Sequence, residues 1–549
     1  MNLYQKHESL LNDAIHAIHA RSYYTPYPES PKAYDEKSDE LARAYISAAM
    51  NNNFTELQTS GESDWIGEEI SPFLQLGIGV RYPQLSVETL IQNSKTAQAV
   101  WENTPVQDRA GILIESLERI KSRFFDIAYA TMHTTGQSFM MSFQASGPHS
   151  NDRALEAIAT GFAELTRYVS ATDWIKPMGK FDLKLHKTWK ALPKGTGLVI
   201  GCSTFPIWNS VPAIFADLIT GNPCIVKPHP KAILPIAIVV AEIRKTLSEN
   251  GQDANIVQLS VDSSAKPITK QLAEHPAIAL VDYTGGSEFG KYVESLNKTV
   301  FTEKAGVNSV ILDSVKDIQP VLQNLALSLS LYSGQMCTAP QNIFIPAQGI
   351  KTETGILSFD ETVQAISAAV SGLVDNPKAG APTLGAIQSE LTFKRIADTQ
   401  QGGGQVALAS KSIENAEFKD ARIATPTLIV LDRKDKALYN QECFGPIAYL
   451  IKTNDTADSV ELARELASEK GALTCAAYTT DQSVMDKIAE AMNSVFVPVS
   501  FNFTGAALIN SHAAFSDFHV TGGNAAGNAS LTTSDFLTRR FVWVGNRYA

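Results

Sequence analysis

A cysteine and a glutamate, 34 positions apart, are the residues of this sequence best suited to covalent chemistry. Cys337 lies in "YSGQMCTAP" (332–340), where a run of helix-forming, mostly apolar residues gives way to a loop. A thiol at such a boundary stays reachable. Nearby backbone N–H groups can ease its ionisation and face an oxygen that becomes negative during reaction. Glu303 lies in "VFTEKAG" (300–306), directly after a short apolar run and among small residues. A carboxylate beside a dry pocket can act as a general base.

Three further motifs have the residue types for holding a ligand. "YTGGSEFG" (283–290) carries Gly285, Gly286 and Gly290 between an apolar run and a helical pattern. Free N–H groups at a helix start can hold a phosphate, although the same glycines also suit an ordinary turn. "CIVKPHP" (224–230) sets Lys227 just past a strand end, where it is either a ligand for ribose or phosphate or a solvated terminus. "NQECFGP" (440–446) sets Glu442 and Phe444 at a turn, a place where glutamates are commonly plain surface. "GTGLVIG" (195–201) has the wrong spacing for a dinucleotide fingerprint and precedes its strand. There is no HExxH, no paired CxxC, no Walker loop and no GxSxG, so no metal site is expected.

These motifs need a scaffold that presents strand ends. Short apolar runs at 197–202, 224–228, 255–261, 277–283 and 300–303 are separated in places by helical stretches, among them 232–248 and 265–275. Such alternation predicts an α/β fold with a doubly wound parallel sheet, whose ligands bind at the carboxyl ends of the strands. A second series runs from "SVILDS" (309–314) through 318–335, 339–346 and 427–431 to about residue 500. Residues 86–169 carry apolar side chains at three- and four-residue steps, the pattern of helices with buried faces.

Composition bounds the class. Of the 549 residues 44% are apolar and 19% charged, which marks a folded chain rather than a disordered one. A net charge of −11 with no basic stripe argues against nucleic acid. The most apolar window, 232–243, is too short to span a bilayer. Five cysteines in a large chain are not a disulfide framework, and the first residues lack the apolar core of a secretion signal. A cytoplasmic location is the expectation.

Taken in order, "VKP", "YTGGSEFG", "FTEKAG", "GQMCTAP" and "ECFGP" resemble the aldehyde dehydrogenase superfamily over residues 85–549, and the Glu303–Cys337 spacing matches it. The resemblance implies a dinucleotide-binding domain (86–177 and 191–306), an α/β catalytic domain (307–520) and a small β oligomerisation element (178–190 and 521–549), preceded by a helical extension (1–85). It implies Cys337 as nucleophile and Glu303 as the base that activates water. Lys227 would hold the adenine ribose, and Gly285, Gly286 and Gly290 would form the cofactor turn. Glu442 would bind the nicotinamide ribose, with Phe444 packed near the nicotinamide. A homodimer or a dimer of dimers is implied as well.

Two positions depart from the family pattern. Its oxyanion-binding asparagine precedes a Phe-Pro pair, and in "GCSTFPIWNS" (201–210) that place is taken by Thr204. A competing register uses Asn209, but Thr204 lies 23 residues before Lys227 and Asn209 only 18, and the family spacing favours Thr204. Many NAD-preferring members carry a glutamate three residues after the lysine. Here Pro230 stands there, flanked by His229 and Lys231, which leans towards NADP over NAD.

"ARSYYTPYPESP" (20–31), "CSTFP" and the ending "FHVTGGNAAGNASLTTSDFLTRRF" give a narrower resemblance, to the aldehyde dehydrogenase-like proteins of bacterial phenylacetate degradation. It implies a semialdehyde substrate, free or CoA-linked, oxidised to an acid through a cysteine thioester. Two alternatives stand beside it. One is a CoA-acylating dehydrogenase, favoured by "KPHP" and disfavoured by Glu303. The other is a catalytically impaired cofactor-binding or scaffold protein, favoured by Thr204.

Overall fold

Short runs of β-branched and aliphatic residues make up the buried strands, and they assemble into two sheets. The computed structural model describes residues 2–508 and 514–549. In the first sheet the strands Thr196–Ile200, Cys224–Lys227, Val257–Leu259, Ile278–Gly285 and Thr299–Lys304 are all parallel. Thr196–Ile200 lies at the centre, with Cys224–Lys227 and then Val257–Leu259 on one side, and Ile278–Gly285 and then Thr299–Lys304 on the other. The chain thus starts in the middle and winds both ways. The expected strand–helix series is found here, with helices Leu234–Glu249 and Ser287–Glu294 among the connections.

The second sheet has seven strands. Ser309–Leu312 and Asn342–Pro346 lie side by side within it, flanked by Cys475–Tyr478 and Ile447–Thr453. Only the edge strand Gln405–Leu408 runs antiparallel to its neighbour. Near-continuous burial of both sheets explains why their strands read as apolar runs rather than alternating ones.

The segment before residue 86 is tied into the cofactor-type domain. Helix Leu3–Ala20 buries Leu11, Ala14 and Ala17. Glu69 does more: its Oε1 accepts the N–H groups of Ile233 at 2.5 Å and Leu234 at 2.9 Å, and its Oε2 accepts the Tyr82 hydroxyl at 2.5 Å. Those N–H groups open helix Leu234–Glu249, which has no capping side chain of its own. A distant carboxylate therefore satisfies the orphan donors of this helix.

A third, small antiparallel sheet orders Phe541–Tyr548, Asp182–Pro193 and Ala171–Pro177 side by side. It leaves Ile175, Phe181, Val542 and Tyr548 more than half exposed. Among the described residues no helix is long and apolar enough to cross a membrane.

Candidate active site

Cys337 is delivered by an abrupt end to a helix. Helix Ile318–Ser330 is capped by Asp317, whose side chain accepts the Gln319 N–H at 2.9 Å. At its far end Tyr332, Ser333 and Gly334 take φ values of 50°, 49° and 63°, three left-handed residues in a row. Gly334 is required, because a Cβ there would lie 2.3 Å from the Gly445 carbonyl oxygen. The turn is tied down by Gln335, whose Nε2 donates to the Ala386 carbonyl at 3.0 Å. Asn308 then fixes the cysteine loop: its Nδ2 donates to the carbonyls of Cys337 at 2.8 Å and Ala339 at 3.0 Å. Its Oδ1 accepts the N–H groups of Leu473 and Thr474.

Glu303 arrives from the other sheet, on the edge strand Thr299–Lys304, and is 8% exposed. Its carboxylate oxygen, the Cys337 sulfur and a ring nitrogen of His519 lie within 4.8 Å of one another. Asn209 Nδ2 donates to Glu303 Oε2 at 3.3 Å. Burial alone would push the Glu303 carboxyl up. His519, the Cys337 thiol and Asn209 reverse that and hold it below the usual carboxylate value. The Cys337 thiol is pushed well up, by burial first and by the Glu303 charge second. The pair is therefore a carboxylate beside a protonated thiol.

Cys337 faces a cavity of about 170 Å³ whose walls are mostly apolar, among them Met141, Phe205, Trp208, Leu325 and Phe503, while Glu303 and His519 line a smaller one, and Asn209 borders both. No lysine or arginine lines the larger cavity among the described residues. His149, on the same wall, bonds Glu29 at 2.5 Å, so the proline-bearing N-terminal stretch reaches the cavity.

The two oxyanion candidates are placed differently. Asn209, on helix Pro206–Ile219, lines the cavity with Cys337. The Thr204 hydroxyl points to Cys202 Sγ at 4.0 Å, and its carbonyl accepts Gln137 Nε2 at 2.7 Å. Thr204 is not among the cavity's lining residues.

The remaining motif residues gather at strand ends. Lys227 closes its strand, buried, with Nζ 2.6 Å from Asp262 Oδ1 and donating to the Pro228 carbonyl. Its pKa is lowered by burial against the pull of Asp262. Pro230 is half-buried in the loop that follows. Gly285 ends strand Ile278–Gly285 and Gly286 caps helix Ser287–Glu294. A Cβ on Gly286 would meet nothing within 4 Å, so the helix start faces open space that a phosphate can enter. Gly290 is needed for packing instead, since a Cβ there would lie 2.4 Å from Lys304 Cγ. Glu442 is tied to the Gly306 N–H, and burial pushes its carboxyl up to about 7. Arg395 donates to the Phe444 carbonyl, which pins the turn. Strand-end lysine, open helix start and half-buried loop carboxylate fit a dinucleotide.

Asn308, Gln335, Asp262 and His519 were not singled out by the sequence reading. Asn308 stands five residues after Glu303, and only the packing of the two sheets gives it meaning. His519 lies 216 positions beyond Glu303, and nothing in the spacing signals the encounter.

The fold and site define a class: a two-sheet α/β protein in which a loop thiol and a strand-end carboxylate meet under an apolar cavity, beside a dinucleotide-type sheet. Residues 80–524 match the sequence model of the aldehyde dehydrogenase family. The solved structure of an NAD-dependent aldehyde dehydrogenase from Burkholderia multivorans is 43% identical, with a TM-score of 0.97 over 100% of this chain and 99% of that one. The chain belongs to the aldehyde dehydrogenase family. A 1-pyrroline-5-carboxylate dehydrogenase from Bacillus licheniformis is 23% identical over 79% of this chain and 81% of its own length. An NADP-dependent glyceraldehyde-3-phosphate dehydrogenase from Bacillus halodurans, complexed with NADP, shares the fold at 19% identity and a TM-score of 0.69, over 89% of this chain and 96% of that one.

Proposed function

We propose that this protein oxidises a semialdehyde of aromatic-acid breakdown, its own acid group masked as a CoA thioester, to the carboxylic acid through a thioester on Cys337. The observation that carries this is the meeting of Glu303 and Cys337 within 4.8 Å, with Cys337 opening onto a cavity walled by apolar side chains. Cys337 Sγ attacks the aldehyde carbon and its proton passes to Glu303. The resulting oxyanion is received by the Cys337 backbone N–H and a side-chain donor from the 201–210 segment. Asn209, which lines the cavity, is better oriented for this than Thr204, whose hydroxyl is turned to Cys202. A bound nicotinamide, NAD or NADP, supplies the hydride acceptor. Glu303 gives up the thiol proton to solvent and then, again a carboxylate, takes a proton from water, whose oxygen displaces the sulfur.

Lys227 with the open start of helix Ser287–Glu294 would hold the adenosine and pyrophosphate, and Glu442 the nicotinamide ribose. Pro230 leaves a 2′-phosphate unopposed, but Asp262 already neutralises Lys227 and the Glu68 charge also acts on it. These two carboxylates favour NAD. The apolar cavity lining, without lysine or arginine among the described residues, supports a semialdehyde whose acid group is masked over one with a free carboxylate. The exposed apolar edge of the small sheet supports a homodimer or a dimer of dimers.

The test is a panel of aromatic-ring-derived semialdehydes, free and CoA-linked, with NAD and NADP, following cofactor reduction and products. Acid as product, with no reduction by Cys337→Ala, is expected. Acyl-CoA formed only when CoA is added, or undiminished reduction by the variant, would reject the reading.

A further inference from the structure

Glu303 is gripped from two sides. Asn209 holds one side, and on the other His519 Nε2 lies 3.4 Å from each carboxylate oxygen. Both His519 and Glu303 are under 9% exposed. The imidazole stands edge-on to Trp208, with ring centroids 4.6 Å apart and planes at 80°. Trp208 is in turn backed by the Arg153 guanidinium, 5.6 Å from the ring centre.

The segment carrying His519 is laid along the very strand that carries Glu303. Lys304 N–H donates to the Ala526 carbonyl at 2.6 Å, and Asn528 N–H to the Thr302 carbonyl at 3.2 Å. Thr302 N–H donates to Asn528 Oδ1 at 2.7 Å. The approach requires glycine at 527, where a Cβ would lie 2.3 Å from Val520 Cγ1 and 2.9 Å from the Thr302 carbonyl oxygen. The His519 carbonyl accepts the Leu531 N–H at 3.2 Å, which fixes the backbone beneath the ring.

The other titratable groups around this pair are the thiols of Cys337 and Cys202, the carboxyls of Glu442 and Asp282, and the Tyr283 hydroxyl. Two guanidiniums stand behind them, Arg153 across Trp208 and Arg540 on Asp282. Among the described residues that touch Glu303, His519 alone can carry a positive charge.

We propose that His519 is a positioning residue that holds the Glu303 carboxylate charged and aimed at the Cys337 thioester, so that hydrolysis depends on the C-terminal segment. The inference rests on the function proposed above. In the step concerned, water adds its oxygen to the thioester carbon while its proton passes to Glu303. The C–S bond breaks, and the Cys337 thiolate takes that proton back as the acid leaves. His519 forms and breaks no bond. It sets how far down in pH Glu303 can still accept the proton.

Hydrolysis of 4-nitrophenyl acetate by the full chain tests this without any nicotinamide, because the ester acylates Cys337 directly. The steady rate is measured from pH 4 to 9 for the wild type, His519→Gln, His519→Phe and Glu303→Gln. His519→Gln keeps a donor and removes the charge. Its acid limb is expected about one pH unit higher, a loss that approaches about tenfold at the acid end of the range and shrinks to within about threefold at pH 9. Glu303→Gln is expected to be slow at every pH, and His519→Phe to fall between the two. An unmoved acid limb in His519→Gln, or a loss that is the same at all pH values, overturns the proposal. Mass spectrometry keeps the two claims apart. If wild-type Cys337 is never acetylated, the proposed function fails. If it is acetylated and the limb does not move, only the role of His519 fails.

Discussion

Two buried charge clusters join the last residues of the chain to the cofactor-type domain, and they are built in opposite ways. Arg540 reaches Asp217 at 2.5 Å and Asp282 at 2.9 and 2.6 Å through two of its nitrogens, while its Nε donates to the Phe536 carbonyl. Its guanidinium also lies over the rings of Phe301 and Phe536, 4.2 and 4.3 Å from their centres. Fork geometry of this kind fixes one arrangement and leaves little for a ligand. His519 and Glu303 stand 3.4 Å apart on the wall of a small cavity, one imidazole for one carboxylate. That looser pairing leaves carboxylate lone pairs for a thiol, an amide and a water. The lesson is that a buried charge is structural when its partners saturate it, and reactive when they only bias it.

Breaking the comparison begins with the reactive side. Glu303→Gln is expected to lower aldehyde turnover by roughly a thousandfold, within the usual range for a lost general base. Its thermal midpoint should stay level or rise, because a buried charge is removed with little change in shape. A fall of several degrees with activity retained would make Glu303 a structural group like Asp217.

Arg540→Met is the mirror experiment. It leaves Asp217 and Asp282 buried without their cation, which costs about 3–5 kcal/mol of stability. Denaturant titration should show this as an earlier midpoint, while turnover per folded molecule stays within about twofold. A turnover collapse at unchanged stability would join the two clusters into one functional unit.

A smaller effect sharpens the reactive side further. Asn209→Leu removes a cavity-lining donor and should slow turnover by roughly a hundredfold if it serves the oxyanion. Thr204→Val should slow it by no more than about threefold, since its hydroxyl faces Cys202. The reverse ranking would restore the assignment made from spacing alone.

That contrast also marks how far the sequence can be read. The parallel sheets were legible because strands buried on both faces leave continuous apolar runs. Cys337, Glu303, Lys227 and the glycines of 285–290 could be proposed from the sequence because their motifs, indecisive singly, fall in the order of the family they resemble. Asn209 and Thr204 lie five positions apart, and the choice between them depends on how the loop 201–205 meets helix Pro206–Ile219, which spacing does not encode. Glu69 as the cap of helix Leu234–Glu249, and His519 as the partner of Glu303, are contacts between segments more than 150 positions apart. Nothing local to either residue differs from ordinary surface or turn composition, so only the closed fold reveals them.

The smallest effect concerns Glu442, the half-buried carboxyl of the loop 440–446. Burial raises Glu442 to about 7, with the Gly306 N–H as its opposing hold. Arg395 opposes the rise only in part, and the balance should appear as pH dependence in cofactor binding. A carboxylate accepts hydrogen bonds from a ribose more strongly than a carboxylic acid does. As pH falls through about 7 the group takes up a proton, so cofactor affinity falls with it. The cofactor KM should therefore rise about threefold to tenfold from pH 8 to pH 6, the size of one charged hydrogen bond in part lost. Glu442→Gln should bind more weakly at pH 8 and show a flat profile. A wild-type profile that is itself flat would mean that a bound cofactor holds Glu442 ionised as firmly as His519 is proposed to hold Glu303.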